Sequence, residues 1–228
     1  MLLVFVDDAT EKLTALHFSK SESLEGYFRT LEKHLLRYGR LQSVYSDRFS
    51  VFDSSVEKNL SQFQRALTTL DIKSILAFSP QAKGRVERMK RTLQDRLIKE
   101  MRLKKISSID EAKKFVPEFV EMYNLKFSKE PASEFDAHRP LGTEVDFSRV
   151  LSRYEERTLS KDAMFQFHNK FYKITKEMKG MTLRGRKIEV RVGREGRGDT
   201  SVNSRKFLSP VLNLLLPGCA LALVNRTD

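Results

Sequence analysis

The chain opens with an unbroken apolar run, Leu2–Val6, which the pattern predicts as a strand buried on both faces. Asp7-Asp8-Ala9-Thr10 then reads as a turn, and Leu13–Phe18 as the returning strand of a hairpin. Ser21 or Ser23 can cap a helix whose apolar face is Leu24, Tyr27, Phe28, Leu31 and Leu35, with Gly39 as its stop. Residues 41–45 form a short strand, 59–70 a second amphipathic helix, and 72–78 a further strand. From about Arg85 the spacing turns helical again, with Val86, Met89, Leu93, Leu97 and Met101 on one stripe. Ser108 opens another helix that runs, interrupted by Pro117, to about Tyr123. The order β-β-α-β-α-β-α indicates an α/β sandwich with a mixed sheet.

The pattern changes after a polar, Pro-bearing stretch at 128–142. Residues 164–168 and 170–174 alternate around Asn169 as a hairpin does, and Lys187–Val192 is a third alternating strand. A small basic β domain is expected here. The boundaries read as 1–145 for the first domain, 146–195 for the β domain and 196–228 for an irregular tail. The tail has neither helical nor strand periodicity, and both a mobile tail and translation out of the original reading frame account for it.

Charge narrows the partner. The chain of 228 residues carries a formal net charge of +12, which favours a polyanion. Residues 83–105 alone hold ten Lys/Arg against three Asp/Glu. The single Cys219 excludes an internal disulfide framework and a Cys-based zinc site, as expected in a reducing cytoplasm. The N-terminus lacks the basic segment of a signal peptide, and the apolar run at 210–224 falls short of the ~20 residues of a membrane span.

Candidate chemistry centres on acids beside strands or bases: Asp7 and Asp8, Asp47, and Glu87. Hard dications such as Mg²⁺ take oxygen ligands, and a metal pair about 3.5–4 Å apart suits the cutting and joining of phosphodiesters. Glu87 shares a helix flank with Arg91 and Gln94 at i, i+4, i+7. Lys83, Arg85, Arg88, Lys90 and Arg91 are candidate contacts to DNA phosphates, with Gln81 beside them in the preceding loop. His17, His34 and His168 are scattered and read as structural, and Tyr45 and Tyr172 read as core packing.

Two stretches are more specific. Tyr45-Ser46-Asp47-Arg48-Phe49-Ser50-Val51-Phe52 and Ser79-Pro80-Gln81-Ala82-Lys83-Gly84-Arg85-Val86-Glu87-Arg88 resemble the second and third acidic motifs of the DDE transposase and retroviral-integrase superfamily. Thirty-nine residues separate Asp47 from Glu87, close to the usual interval. Tyr123-Asn124 and His138-Arg139-Pro140-Leu141 resemble the distal end of the core in bacterial insertion-sequence transposases. The resemblance covers roughly residues 1–145. It implies an RNase H-like mixed sheet flanked by helices, and Mg²⁺ or Mn²⁺ held by Asp47 and Glu87. It also implies DNA integration and strand transfer of transposon ends as the activity, with transposon ends and target DNA as partners. A homo-multimer and a cytoplasmic, nucleoid-associated bacterial location are implied too. In that family the first catalytic Asp lies on a strand that would precede Met1, so a truncated chain with impaired strand transfer is expected. Asp7 and Asp8 resemble the turn after the second strand, leaving Asp7 as a lesser metal candidate. A non-catalytic DNA-binding remnant is the alternative. An RNase H-type hydrolase fits the basic β extension poorly, and His138 and Arg139 are expected to fix the turn leaving the core.

Overall fold

The computed structural model describes residues 1–46, 61–76, 80–142, 145–167, 169–174, 184–192, 201–203 and 221–223; at 76, 80–88, 90, 201–203 and 221–223 it describes the backbone alone. The chain is mixed α/β and divides into two compact units, Met1–Leu151 and Ser152–Asp228.

In the first unit, β1 (Leu2–Val6) and β2 (Leu13–Phe18) form an antiparallel hairpin. Helix α1 (Leu24–Tyr38) follows, capped by Ser23, whose hydroxyl accepts from the Gly26 amide at 3.2 Å. Strand β3 (Ser43–Ser46), helix α2 (Gln62–Thr69) and strand β4 (Lys73–Leu76) come next, with β3 and β4 paired in parallel. Ser61 and Gln64 close a reciprocal capping box on α2. Two long helices complete the unit, α3 (Pro80–Leu103) and α4 (Ile109–Phe127), followed by the single turn α5 (Phe147–Val150).

The hairpin lies between two apolar clusters. One joins Phe28, Leu31 and Leu35 of α1 to Phe63, Ala66 and Leu67 of α2 and Val44 of β3, with Phe5 of β1 against it. The other joins Leu13 and Leu16 of β2 to Leu93 and Leu97 of α3 and Phe115, Val116, Phe119, Val120 and Tyr123 of α4. Sandwiching the hairpin between helix layers explains why apolar residues occupy successive positions of β2.

Several expectations are corrected here. Among the described residues β1 pairs with β2 and β3 with β4, as two two-stranded sheets rather than one mixed sheet. Strand β1 is therefore not buried on both faces: Leu3 is buried, but Leu2, Val4 and Phe5 are half-buried and Val6 is exposed. Tyr45 is not core, being 51% exposed. Strand alternation sends Val44 inward and its neighbour Tyr45 outward. Helix α3 starts at Pro80 rather than near Arg85, because proline loses no helical hydrogen bond in the first turn and its φ is preset. Pro117 does not interrupt α4; it is exposed, and water can serve the carbonyl left without a donor one turn back.

In the second unit the described strands form two three-stranded antiparallel sheets. One runs β5 (Arg153–Thr158), β8 (Lys187–Val192), β9 (Ser201–Asn203); the other runs β6 (Met164–Phe167), β7 (Lys170–Ile174), β10 (Leu221–Leu223). Leu159, Phe165, Phe167, Ile188 and Val190 are its buried core, with Tyr172 packed against them. Asn169 takes a positive φ of 60° in the β6–β7 turn. The stretch after 195 was expected to be irregular, yet β9 and β10 pair onto β8 and β7. His168 and most of that stretch lie outside the described residues.

Candidate functional site

The β3–β4 pair fixes the geometry of the site. Its parallel register sets Ser46 opposite Leu76, so both chains leave the same edge of the pair. The chain that leaves β3 begins with residue 47; the one that leaves β4 reaches α3 after residues 77–79. This is the carboxyl end of parallel strands, where open α/β sheets place their ligands. Asp47 lies outside the described residues. Glu87, Gln81, Lys83, Arg85, Arg88 and Lys90 lie on the backbone of α3, with their side chains outside the described set.

The remainder of α3 carries its predicted stripe. Leu93 and Leu97 are buried, with Met89 and Met101 half-buried along the same line. Arg91 is exposed, and position 87 is one turn ahead of it on the same flank. Further along, Lys99 pairs with Asp95 at 2.8 Å and Lys104 with Glu118 at 2.7 Å, while Arg96 lies over the Phe127 ring. The hydrogen bond from Lys99 holds the Asp95 carboxyl below its ordinary range. The distal half of α3 thus pairs part of its charge within the protein surface. Arg91 and Arg102 make no ion pair among the described residues.

Asp7 has a local task. Its carboxylate accepts from the Thr10 amide at 3.0 Å and the Thr10 hydroxyl at 2.5 Å, closing the β1–β2 turn. Glu11, at φ 58°, donates its amide to the Asp7 carbonyl at 2.8 Å within the same turn. Among the described residues, no three His, Cys, Asp or Glu side chains converge as metal ligands would.

The distal motifs work as fasteners. Asn124 donates to the Leu13 carbonyl at 3.0 Å and accepts from the Leu13 amide at 2.8 Å, so one side-chain amide pairs with the outer edge of β2 as a strand would. Sequence reasoning singled out Asn124 but not this role, which depends on a contact spanning 111 positions. Arg139 and Arg40 exchange backbone hydrogen bonds at 2.8 Å, and the Arg139 guanidinium binds both the carboxylate and the carbonyl of Asp71. The His138 ring lies 5.3 Å from that of His34 and 5.8 Å from that of Tyr38. The His138 amide donates to the Asp136 carboxylate at 3.0 Å and its Nδ1 lies 2.7 Å away; the backbone bond first, and then the ring, hold that carboxyl below its usual range. His34 is buried with both ring nitrogens unpartnered, and burial lowers its pKa to about 4, helped by His138. Burial first, and then Lys33, Arg29 and Lys113, lower His17 to about 4.

No protein-family model matches the chain. Over 204 residues it is 43% identical to "Putative transposase y4bF" of Sinorhizobium fredii (strain NBRC 101917 / NGR234), covering 87% of this chain and 45% of that protein. Over 181 residues it is 30% identical to the transposase for insertion sequence IS1202 of Streptococcus pneumoniae, covering 76% of this chain and 38% of that one. The chain therefore spans less than half the length of either relative. A simian T-cell lymphotropic virus intasome, solved by cryo-EM in complex with PP2A regulatory subunit B56 gamma, shares a TM-score of 0.45 and 16% identity. That match covers 89% of this chain and 68% of the other, and the likeness is too distant to carry weight. The two sequence relatives are both transposases. This chain is thus similar over most of its length to two transposases, while spanning less than half of either. No helix among the described residues is long and apolar enough to cross a membrane.

Proposed function

We propose that residues 1–145 are an integrase-type catalytic core of RNase H-like design that acts on DNA phosphodiesters in transposition. Residues 146–195 are a small basic all-β domain, and 196–228 a tail. The observation that supports the reading is the parallel register of β3 with β4, which sets the last residues of the two strands, Ser46 and Leu76, side by side at one end of the pair. The packing of Phe5 and Val44 into one cluster on α1 supports it further, since both strand pairs then rest on the same helix layer. Asp47 and Glu87 are the proposed catalytic residues. Their carboxylates are hard oxygen donors suited to Mg²⁺ or Mn²⁺, whose contribution is to polarise the phosphodiester and the attacking hydroxyl. Gln81, Lys83, Arg85, Arg88, Lys90 and Arg91 line up along α3 to hold the DNA backbone. Asp7 remains the lesser metal candidate, because its carboxylate already closes a turn. The partners are transposon ends and target DNA, with a homo-multimer to bring two ends together.

Asp7 is already committed to its turn, so strand transfer resting on Asp47 and Glu87 in this chain alone is expected to be weak. A non-catalytic DNA-binding remnant is the second reading, favoured by the net charge of +12. A Mg²⁺-dependent strand-transfer assay with pre-cleaved ends tests both. Little or no product, together with salt-dependent DNA binding, is the expected result. Robust transfer that Asp47→Asn abolishes would overturn the impairment, and absence of DNA binding would overturn the DNA reading.

A further inference from the structure

The β3–β4 pair has a second end, which the candidate active site does not use. There, Gln42 precedes β3 and Lys73 opens β4, and an open groove of about 640 Å³ is bordered by Gln42, Gln64, Thr68, Lys73, Ser74 and Arg139. Its polar groups are unbalanced toward donors. Asp71, the acid of the lining, is bound by both terminal nitrogens of Arg139. The Nε of that guanidinium is buried without an acceptor, and so is the hydroxyl of Ser74. The Gln64 side-chain oxygen is occupied by the Ser61 amide at 3.0 Å. Lys73 is exposed and makes no ion pair or side-chain hydrogen bond among the described residues. Two cations and one acid leave the lining a charge of about +1.

We propose that this groove binds a backbone phosphate of DNA, with the exposed Lys73 neutralising it beside the Arg139–Asp71 clasp. The chain's net charge of +12 favours a partner of high charge density over an acidic peptide. This inference rests on the DNA-binding reading above and adds a contact that α3 does not supply. Lys73 and Leu76 are three strand positions apart, about 10 Å at ~3.3 Å per residue, so one nucleic acid can reach both ends of the pair. The groove would act as an outer grip that fixes the direction in which DNA crosses the strand pair.

The test is fluorescence anisotropy of a labelled duplex against the full chain, between about 50 and 200 mM salt. Lys73→Gln should weaken binding several-fold at the lower salt and flatten the slope of log K against log salt by about 0.9, the share of one phosphate. Lys73→Arg should restore both. Arg91→Gln on α3 serves as the comparison. If the wild-type chain binds no DNA, the DNA reading fails and takes the groove with it. If Arg91→Gln flattens the slope and Lys73→Gln behaves as wild type, the groove proposal alone is overturned. It is also overturned if Lys73→Gln weakens binding of a labelled oligo-glutamate peptide and leaves the duplex unaffected.

Discussion

His34 makes stability depend on pH in a direction the structure specifies. Its side chain projects from α1 into a cage formed by Phe5, Tyr38 and His138, with ring centroids 6.2, 5.4 and 5.3 Å away, and the residue is 4% exposed. Neither ring nitrogen has a partner, so nothing offsets the cost of a buried charge. The pKa falls from 6.5 to about 4, chiefly through burial and then through His138, with Asp7 opposing weakly. Between those values the unfolded chain binds the proton and the folded chain does not. Stability is therefore complete above about pH 6.5 and is lost as pH falls toward 4. Linkage with these two values gives a loss of about 2 kcal/mol at pH 5 and about 3 kcal/mol once pH passes below 4. A typical domain has only about 5–15 kcal/mol in all. Urea unfolding by circular dichroism from pH 5 to 8, on the wild type and His34→Leu, isolates the effect. His17 titrates in the same direction but is common to both proteins, as are Asp7, Asp136 and His138. The wild type should lose about 2 kcal/mol more than His34→Leu between pH 7.5 and 5. Parallel pH profiles would refute the reasoning.

Two further changes probe the fasteners. Gly39 sits at φ 88°, ψ −163°, and a β-carbon there would approach the Arg139 carbonyl to 2.5 Å. Gly39→Ala should cost about 1–3 kcal/mol from backbone strain before any displacement of the 139–141 segment, read as a lower urea midpoint. Asn124→Ala strands the amide and carbonyl of Leu13 at a partly buried edge. It should cost about 1–3 kcal/mol and speed hydrogen exchange at Leu13 and its neighbours, while unchanged exchange there would show that the amide clamp is idle.

Sequence alone conveys those features whose signal is local. Ser23 and Ser108 each precede a helix and each cap it, Ser108 in a capping box with Glu111, whereas the box of Ser61 with Gln64 was missed because the second helix was expected from residue 59. The stripe from Met89 to Met101 has the 3.6 period of the face it buries. Strand β5 was missed because Arg-Tyr-Glu-Glu-Arg-Thr has no apolar alternation. It is stabilised instead by six registered pairs with β8 and by charge: Arg153 and Arg157 against Glu155, and Lys187 against Glu156. The division of the sheet into two pairs was equally illegible, since no residue of β1 or β3 encodes which strand lies beside it. The clasp of Arg139 on Asp71 joins positions 68 apart and follows from folding, not from any motif.

The interval between the two carboxylates does have a physical reading. Were β3 and β4 an antiparallel hairpin, the chain would leave them at opposite ends, and two acids following them could not share a metal. Parallel pairing requires a crossover, which here occupies 47–72 and includes α2. Phe63, Ala66 and Leu67 bury that helix against α1, so the crossover is anchored to the same layer as the strands it connects. Four residues of β4 then return the chain to the starting edge, and three more bring it to Pro80. Glu87 follows after two turns of α3, about 10 Å along the helix axis at ~1.5 Å per residue. A strand, a helical crossover, a second strand and two helical turns account for the thirty-nine intervening residues. The spacing that marks the motif is thus the length of chain that carries β3 through a crossover to a parallel β4 and on into α3, as the proposed site requires.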